Sequence, residues 1–157
     1  EGSGISVATE GAGAGGNLAI AADTLVVEGG IVAATRGTGA AGNVTLTPRS
    51  STALTLQFQN DGQIAASTSS QGAGGSIAIA APQAVTITGD GEILAGTRSS
   101  GRGGSVNLAT QQLTVQNGAK ISASTGGLGA GGNIDVVAPD SVVVSNAEFA
   151  SETSGLG

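Results

Sequence analysis

One pattern of residues returns about every 28 positions along this sequence. Each copy opens with two small residues and Asn or Ser, followed by an alternating apolar run. The second glycines of the opening pairs, Gly16, Gly42, Gly75, Gly104 and Gly132, follow one another at intervals of 26, 33, 29 and 28 residues. Self-similarity at a fixed period of 20 to 50 residues predicts a solenoid, in which each repeat packs on its neighbours.

Two more segments recur in phase with the first. One is a short apolar alternation, at residues 25–27, 54–56, 85–87, 113–115 and 142–144. The other begins with Ile or Phe and ends in threonine, at residues 5–9, 31–35, 64–68, 93–97, 121–125 and 149–153. Each period therefore predicts three short strands.

The apolar residues alternate with period two, which is typical of strands with one buried face, and no segment shows helical spacing. Strands this short cannot bury their apolar faces alone, but a coiled chain would stack each strand on its equivalent one period away. Crossovers between parallel strands are almost always right-handed. We therefore predict an all-β, right-handed parallel β-helix with three strands per rung, about five rungs of 26–33 residues and a single unit over residues 1–157.

The corner after the threonine is the most regular part of the repeat. Seven residues separate each threonine from the next second glycine in every period, whereas the other corners vary in length. In the second period, residues 48–53 and 57–63 are predicted to protrude as longer loops. The predicted structural corner residues are Thr9, Thr35, Thr68, Thr97, Thr125, Thr153, Gly16, Gly42, Gly75, Gly104 and Gly132.

A tight turn repeated at the strand spacing leaves little room for Cβ atoms and often uses positive φ, which accounts for the glycines. The threonine hydroxyls are expected to satisfy backbone groups at the bend. A column of Asn and Ser should hydrogen-bond from rung to rung, as Asn ladders do in cross-β stacks. Its members are Asn17, Asn43, Ser76, Ser105 and Asn133.

The amino-acid composition argues against several classes of function. The chain has no Cys and no His, so the preferred ligands of zinc, haem and iron–sulfur clusters are absent, as is the thiol nucleophile. The formal net charge of −6 disfavours nucleic acid and anionic lipid surfaces. We expect no cofactor, no nucleic-acid partner and no membrane insertion.

Several motifs suggest ligand sites, but each has a simpler explanation. The spacing G-x-G-x-x-G occurs at residues 11–16, 37–42 and 127–132, yet each copy leads into a strand, whereas a dinucleotide site needs a helix. Calcium-binding glycine repeats carry an aspartate that is absent here. An ice-binding face needs threonines that point outward, whereas this column has inward parity.

Paired carboxylates could serve glycoside chemistry, since β-helices support many polysaccharide-degrading enzymes. The closest pairs along the chain are Asp90 with Glu92 and Glu148 with Glu152. Sugar sites usually present aromatic platforms, and the chain has no Trp or Tyr. We therefore predict no enzyme activity, and we expect Arg36, Arg98 and Arg102 to promote solubility near the threonine corner.

The repeat resembles those of filamentous-haemagglutinin-like exoproteins of the cyanobacterial type, most closely at residues 103–132 with the run Asn117-Gly-Ala-Lys-Ile-Ser-Ala-Ser-Thr125. This resemblance implies a segment of a large filament exported by two-partner secretion, located outside the cell or on the outer surface of a Gram-negative-type bacterium. The absence of cysteine fits that route, because a disulfide would obstruct threading of an unfolded chain.

The first expectation for function is therefore a rigid, non-catalytic structural and adhesive segment of a larger repeat protein. Its partners would be a host-cell, neighbouring-cell or extracellular-matrix surface. A carbohydrate-active β-helix is the alternative, and an ice-binding protein ranks third. Because neither end carries an obvious polar cap, we also expect end-to-end self-association.

Overall fold

The computed structural model describes residues 4–50 and 53–155, and within those ranges it contains fourteen strands and no helix. The strands are β1 Gly4–Ser6, β2 Leu18–Ala22, β3 Thr24–Val27, β4 Gly30–Val32, β5 Val44–Pro48, β6 Thr55–Phe58, β7 Gln63–Ala65, β8 Ser76–Thr88, β9 Glu92–Leu94, β10 Ser105–Gln116, β11 Lys120–Ser122, β12 Asn133–Val137, β13 Ser141–Ser145 and β14 Glu148–Ala150.

The pairings among these strands are all parallel, and they form three faces. The first face consists of β2, β5, β12 and the first halves of β8 and β10. The second consists of β3, β6, β13 and the second halves of β8 and β10. The third face is a separate six-stranded sheet in the order β1-β4-β7-β9-β11-β14. The predicted parallel β-helix of about five rungs is confirmed.

The inward columns form one apolar core along the axis. The column of the third face shows this best, because Ile31 is 5% exposed and Ile64, Ile93 and Ile121 are 0% exposed. At the two ends of the same column Ile5 is 49% and Phe149 is 38% exposed. Exposure in this column is thus lowest in the middle rungs and highest at Ile5 and Phe149.

The strand count per rung differs from the prediction in the third and fourth rungs. There the first two predicted strands are continuous, as β8 of 13 residues and β10 of 12 residues. A register shift between Thr110 and Gln112 marks the bend between their two halves. A β-bulge of this kind bends a strand without ending it, so two faces share one eight-stranded sheet.

The second-rung loops are also shorter than predicted. Pro48 lies in β5 opposite Ala22, and Gln57 and Phe58 lie in β6 opposite Val26 and Val27. Phe58 is only 1% exposed, so a residue assigned to a loop belongs to the core. Ser51 and Thr52 of the predicted loop at 48–53 lie outside the described residues.

The difference arises because the alignment read from the sequence repeat is shifted by two residues from the strand pairing in the structure. The sequence repeat matches residues 54–56 with residues 25–27, whereas the structure pairs Leu56 with Leu25 and Phe58 with Val27. Because side chains alternate with period two, a shift of two keeps the apolar residues inside. Apolar alternation alone cannot distinguish the two alignments.

Candidate functional site

The corner that follows the third face is the most repetitive feature of the structure. Its threonines form an unbroken series of parallel bridges from Thr9 through Thr35, Thr68, Thr97 and Thr125 to Thr153. The four inner threonines are buried, with exposures of 1% to 5%. The column therefore points into the solenoid, and these side chains do not form an outward-facing threonine array.

The threonine hydroxyls bond to backbone groups of the glycine-rich loop. Thr125 Oγ1 lies 2.8 Å from Ser99 O and 2.9 Å from Gly101 O, and it accepts the N–H of Gly127 at 3.4 Å. Thr97 Oγ1 donates to Ser70 O at 3.0 Å and accepts the N–H of Ser99 at 3.2 Å. Each of these two buried threonines thus ties its own loop to the loop of the neighbouring rung.

The corner glycines are required by close packing between rungs. A Cβ on Gly42, Gly75, Gly104 or Gly132 would overlap the carbonyl oxygen of the equivalent glycine one rung below. Their φ angles are not positive; among the described glycines only Gly89 and Gly118 have positive φ. The predicted use of positive φ at this corner is therefore wrong, and crowding by the neighbouring backbone is the actual constraint.

Positive φ occurs instead at the corner between the second and third faces. Asn60, Asn117 and Asn146 adopt it with φ of 53°, 61° and 50°, and Gly89 occupies the equivalent turn with φ of 66°. Asn and Gly are the residues that tolerate this conformation best. The pair Asn117-Gly118 is the sequence signal of this turn. In the turn at Asp90 the positive φ falls on Gly89, and not on the aspartate.

The Asn and Ser column does connect successive rungs, although mainly through the backbone. Asn17 Oδ1 accepts the N–H of Asn43, and Asn43 Oδ1 accepts the N–H of Ser76, both at 2.9 Å. Within this column, a bond from side chain to side chain joins Ser105 and Ser76, at 3.0 Å. The amide oxygens therefore cap backbone donors of the next rung, which an Asn ladder of the cross-β type would not do.

A shallow groove of about 710 Å³ runs over the outer surface of the third face. Small side chains such as Ala34, Ser67 and Ser124 line its floor. Arg36 and Arg98 lie on the threonine side, and Glu92 and Lys120 are among the other lining residues. The groove thus brings four charged side chains onto one face of the solenoid.

Three of the four charged side chains in the groove are paired with residues of neighbouring rungs. Arg36 Nη1 lies 3.4 Å from Glu10 Oε1, and Lys120 Nζ lies 3.0 Å from Glu148 Oε1. Glu92 Oε2 accepts a hydrogen bond from Gln63 Nε2 at 3.0 Å. Glu92 and Glu148 of the predicted carboxylate pairs are thus engaged with neighbouring rungs, and Arg102 is not among the residues that line the groove.

Neither a cluster of metal-ligating side chains nor a membrane-crossing helix occurs within the described ranges. No cluster of three or more potential ligands occurs among residues 4–50 and 53–155. Over those residues there is also no helix with the length and apolarity to cross a bilayer.

Comparison with known proteins finds no matching family model, no matching curated protein and no matching solved structure. The functional argument therefore rests on the repeat in the sequence and on the arrangement of the described residues. The main features of that arrangement are the regular stack of rungs and the charged groove on the third face.

Proposed function

We propose that this chain is a rigid, non-catalytic segment of a secreted or surface-exposed filamentous exoprotein that supports adhesion. The observation that carries the proposal is the uninterrupted register of the third face, where six strands and six threonines stack in order. A solenoid built this way holds its two ends at a fixed distance, because each rung is joined to the next by backbone hydrogen bonds.

The bonding pattern within the shaft supports this role. Buried side-chain nitrogen and oxygen atoms all have hydrogen-bond partners throughout the described ranges. Satisfied polar groups rigidify a core, whereas unpaired ones destabilise it. The proposed location outside a Gram-negative-type cell rests on the resemblance of the repeat and on a sequence without cysteine.

Rigidity is measurable with spin labels on two exposed residues of one column, in the double variant Ala8→Cys, Glu152→Cys. Five strand spacings separate these positions, so the backbone distance should be about 24 Å with a narrow distribution in double electron–electron resonance. Labels on Ala8→Cys and Arg36→Cys, in adjacent rungs, provide a short-distance control. A broad distribution for the long pair would contradict a spacer.

The adhesive component is testable with labelled protein on arrays of glycans and of extracellular-matrix proteins. We expect saturable binding to a surface component without turnover. Boiled protein, which lacks the stacked rungs, is the control. If no component of either array binds, the spacer role would still stand, but adhesion by this segment would be excluded.

The groove on the third face favours a second candidate, a carbohydrate-active β-helix. Its basic residues and its small-residue floor suit an extended acidic polysaccharide. A reducing-end assay on acidic polysaccharides distinguishes the two functions, because cleavage would generate new sugar ends. Turnover that is abolished by Glu92→Ala, which removes the carboxylate that lines the groove, would contradict the non-catalytic proposal, and Asp61→Ala is the matched control at an exposed turn.

A further inference from the structure

The sequence contains one Asn-Gly pair, and it lies in the turn between β10 and β11. Both of its residues, Asn117 and Gly118, are exposed. An asparagine followed by glycine is chemically labile, because glycine has no Cβ that would shield its own backbone nitrogen. That nitrogen can attack the asparagine side chain wherever the backbone brings the two groups together.

The folded turn keeps these two groups apart. At a φ of 61°, Asn117 lies in the left-handed region, where ψ is roughly +30 to +60°. This ψ places the Gly118 nitrogen and the Asn117 Cβ on opposite sides of the Cα–C bond, whereas ring closure needs them on the same side. The Gly118 N–H also donates to Asn146 O at 2.7 Å, and the Asn117 N–H donates to Ser145 O at 3.1 Å. Attack is therefore blocked while the turn is closed.

We propose that Asn117-Gly118 is a self-modification site that reacts when this corner of the solenoid opens, and that its main product then prevents the corner from closing. The inference goes beyond the structural role proposed above and does not depend on adhesion. Water is the only co-reactant that the chemistry needs.

The reaction has two steps. In the first, the Gly118 nitrogen bonds to Asn117 Cγ, the bond from Cγ to Nδ2 breaks, and the amide nitrogen leaves as ammonia with the proton that the Gly118 nitrogen gives up. In the second, water opens the resulting five-membered imide at either carbonyl carbon. Opening at Cγ leaves an ordinary aspartate. Opening at the main-chain carbon leaves an isoaspartate, in which the chain runs through the former side chain.

An isoaspartate does not fit this turn. It adds one carbon to the backbone between residues 117 and 118, so β10 and β11 cannot both keep their register with the neighbouring rungs. The strand after the turn is fixed to the rung below, where the Lys120 N–H donates to Gly91 O at 2.9 Å. Ala119 and Ile121 beside it are 0% exposed. The extra carbon therefore displaces residues that belong to the core.

Both products also add a negative charge to a corner that already holds a carboxylate. Asp90 lies in the equivalent turn one rung below, and its Oδ1 is 3.0 Å from the position that a Cβ on Gly118 would take. Like charges at short range repel each other. The aspartate product adds this repulsion alone, whereas the isoaspartate product adds the longer backbone as well.

Gating by the fold is testable from the rate of ammonia loss in the native chain and in the chain denatured by guanidinium chloride, at one mildly alkaline pH. Mass spectrometry follows the peptide that contains residue 117, and an isoaspartyl methyltransferase detects isoaspartate. We expect the native chain to react at least about ten-fold more slowly, because reaction through an open state follows its population. Equal rates, or an unmodified Asn117 in denaturant, would overturn the proposal.

Two other asparagines are controls within the same chain. Asn60 and Asn146 share the left-handed conformation, with φ of 53° and 50°, but an aspartate and an alanine follow them. A side chain on the following residue hinders its nitrogen, so both should persist in denaturant while Asn117 is consumed. Conversion of all three at one rate would contradict a site specific to Asn117-Gly118.

Refolding of the purified products tests the block on closing. Asn117→Gly removes the reactive amide but keeps a residue that accepts positive φ, as Gly89 does in the equivalent turn with a φ of 66°. Asn117→Asp adds the charge with an ordinary backbone. On dilution of denaturant, both fresh variants should regain the native circular dichroism spectrum, whereas the isoaspartate form should not.

Two refolding results would contradict this expectation. An isoaspartate form with the wild-type urea midpoint would show that the turn tolerates the longer backbone. Failure of Asn117→Asp to refold would show that the charge alone blocks closing, and it would overturn the role of the altered linkage.

Discussion

At the scale of single residues, the corner glycines show how a repeated turn restricts sequence. Gly75 lies over the carbonyl oxygen of Gly42, and Gly104 lies over that of Gly75. Backbone atoms form this contact, so they cannot move aside as a flexible side chain could. A substitution at an inner rung must therefore separate two rungs.

Replacing Gly75 with alanine is expected to lower the free energy of unfolding by about 3 kcal/mol, through overpacking against the backbone. The measurement is urea denaturation followed by circular dichroism. Gly11→Ala, in the corner loop of the first rung, should be neutral or slightly stabilising. The new Cβ has free space around it, and alanine lowers the conformational entropy of the unfolded chain. Equal effects of both variants would show that stacking is not the constraint.

The buried threonine hydroxyls contribute stability through their bonds to the loop. Thr125→Val keeps the shape of the side chain but leaves the N–H of Gly127 without its acceptor. The expected loss in unfolding free energy is about 1–3 kcal/mol, the cost of leaving a partly buried polar group unsatisfied. Thr153→Val should cost less, because this threonine is exposed and water can replace its bonds. Chemical denaturation of the two variants provides the comparison.

At the scale of strands, the alternation of side chains decides which substitutions the solenoid tolerates. Ile79 and Ala80 are neighbours in β8, and their side chains lie on opposite sides of the sheet. Ile79 is 2% exposed, in an apolar core cluster.

Ile79→Asp should therefore unfold the chain at neutral pH, because an unpaired carboxylate in an apolar core carries a large desolvation cost. Ala80→Asp introduces the same charge on the exposed side and should leave the far-ultraviolet circular dichroism spectrum unchanged. A cooperative thermal transition in Ile79→Asp at the wild-type temperature would contradict the inward placement of this column.

The register of β6 gives a separate test at this scale. Phe58 is buried among the core residues, whereas its neighbour Gln57 faces outward. Phe58→Ala should cost about 3–5 kcal/mol through lost burial and a residual cavity, and Gln57→Ala should change stability little. Both losses in unfolding free energy can be measured from the midpoints of urea denaturation, provided that the denaturant dependence (the m-value) is the same for both variants. A small effect at Phe58 would favour the alignment suggested by the sequence repeat, in which Phe58 lies in a loop.

At the scale of the whole molecule, the solenoid should lose structure from its ends. Each rung contacts only its neighbours, so stability is close to a sum of rung and interface contributions. The exposure of the third-face column rises at both ends, from 0% at Ile93 to 49% at Ile5 and 38% at Phe149.

Amide hydrogen exchange is expected to be slowest in β8, β9 and the first half of β10, and fastest in β1, β13 and β14. The measurement is exchange followed by mass spectrometry at peptide resolution. Uniform protection along the chain would show that the solenoid unfolds as one cooperative unit.

The class of fold and most of the register follow from patterns along the chain. Period-two alternation and a fixed interval from threonine to glycine are local properties that can be read along the chain. They place Ile5, Ile31, Ile64, Ile93, Ile121 and Phe149 in one column, and the strand pairings confirm it. The same is true of the threonine column from Thr9 to Thr153.

The tertiary structure alone decided what crowds the corner glycines, where strands merge and how β6 aligns. Each of these depends on atoms about one repeat away in sequence. Gly75 has no local need for glycine, since its φ is not positive, and the carbonyl of Gly42 one rung below excludes a Cβ there. Alternation is likewise unchanged by a shift of two residues, so the burial of Phe58 depends on its contacts with neighbouring rungs.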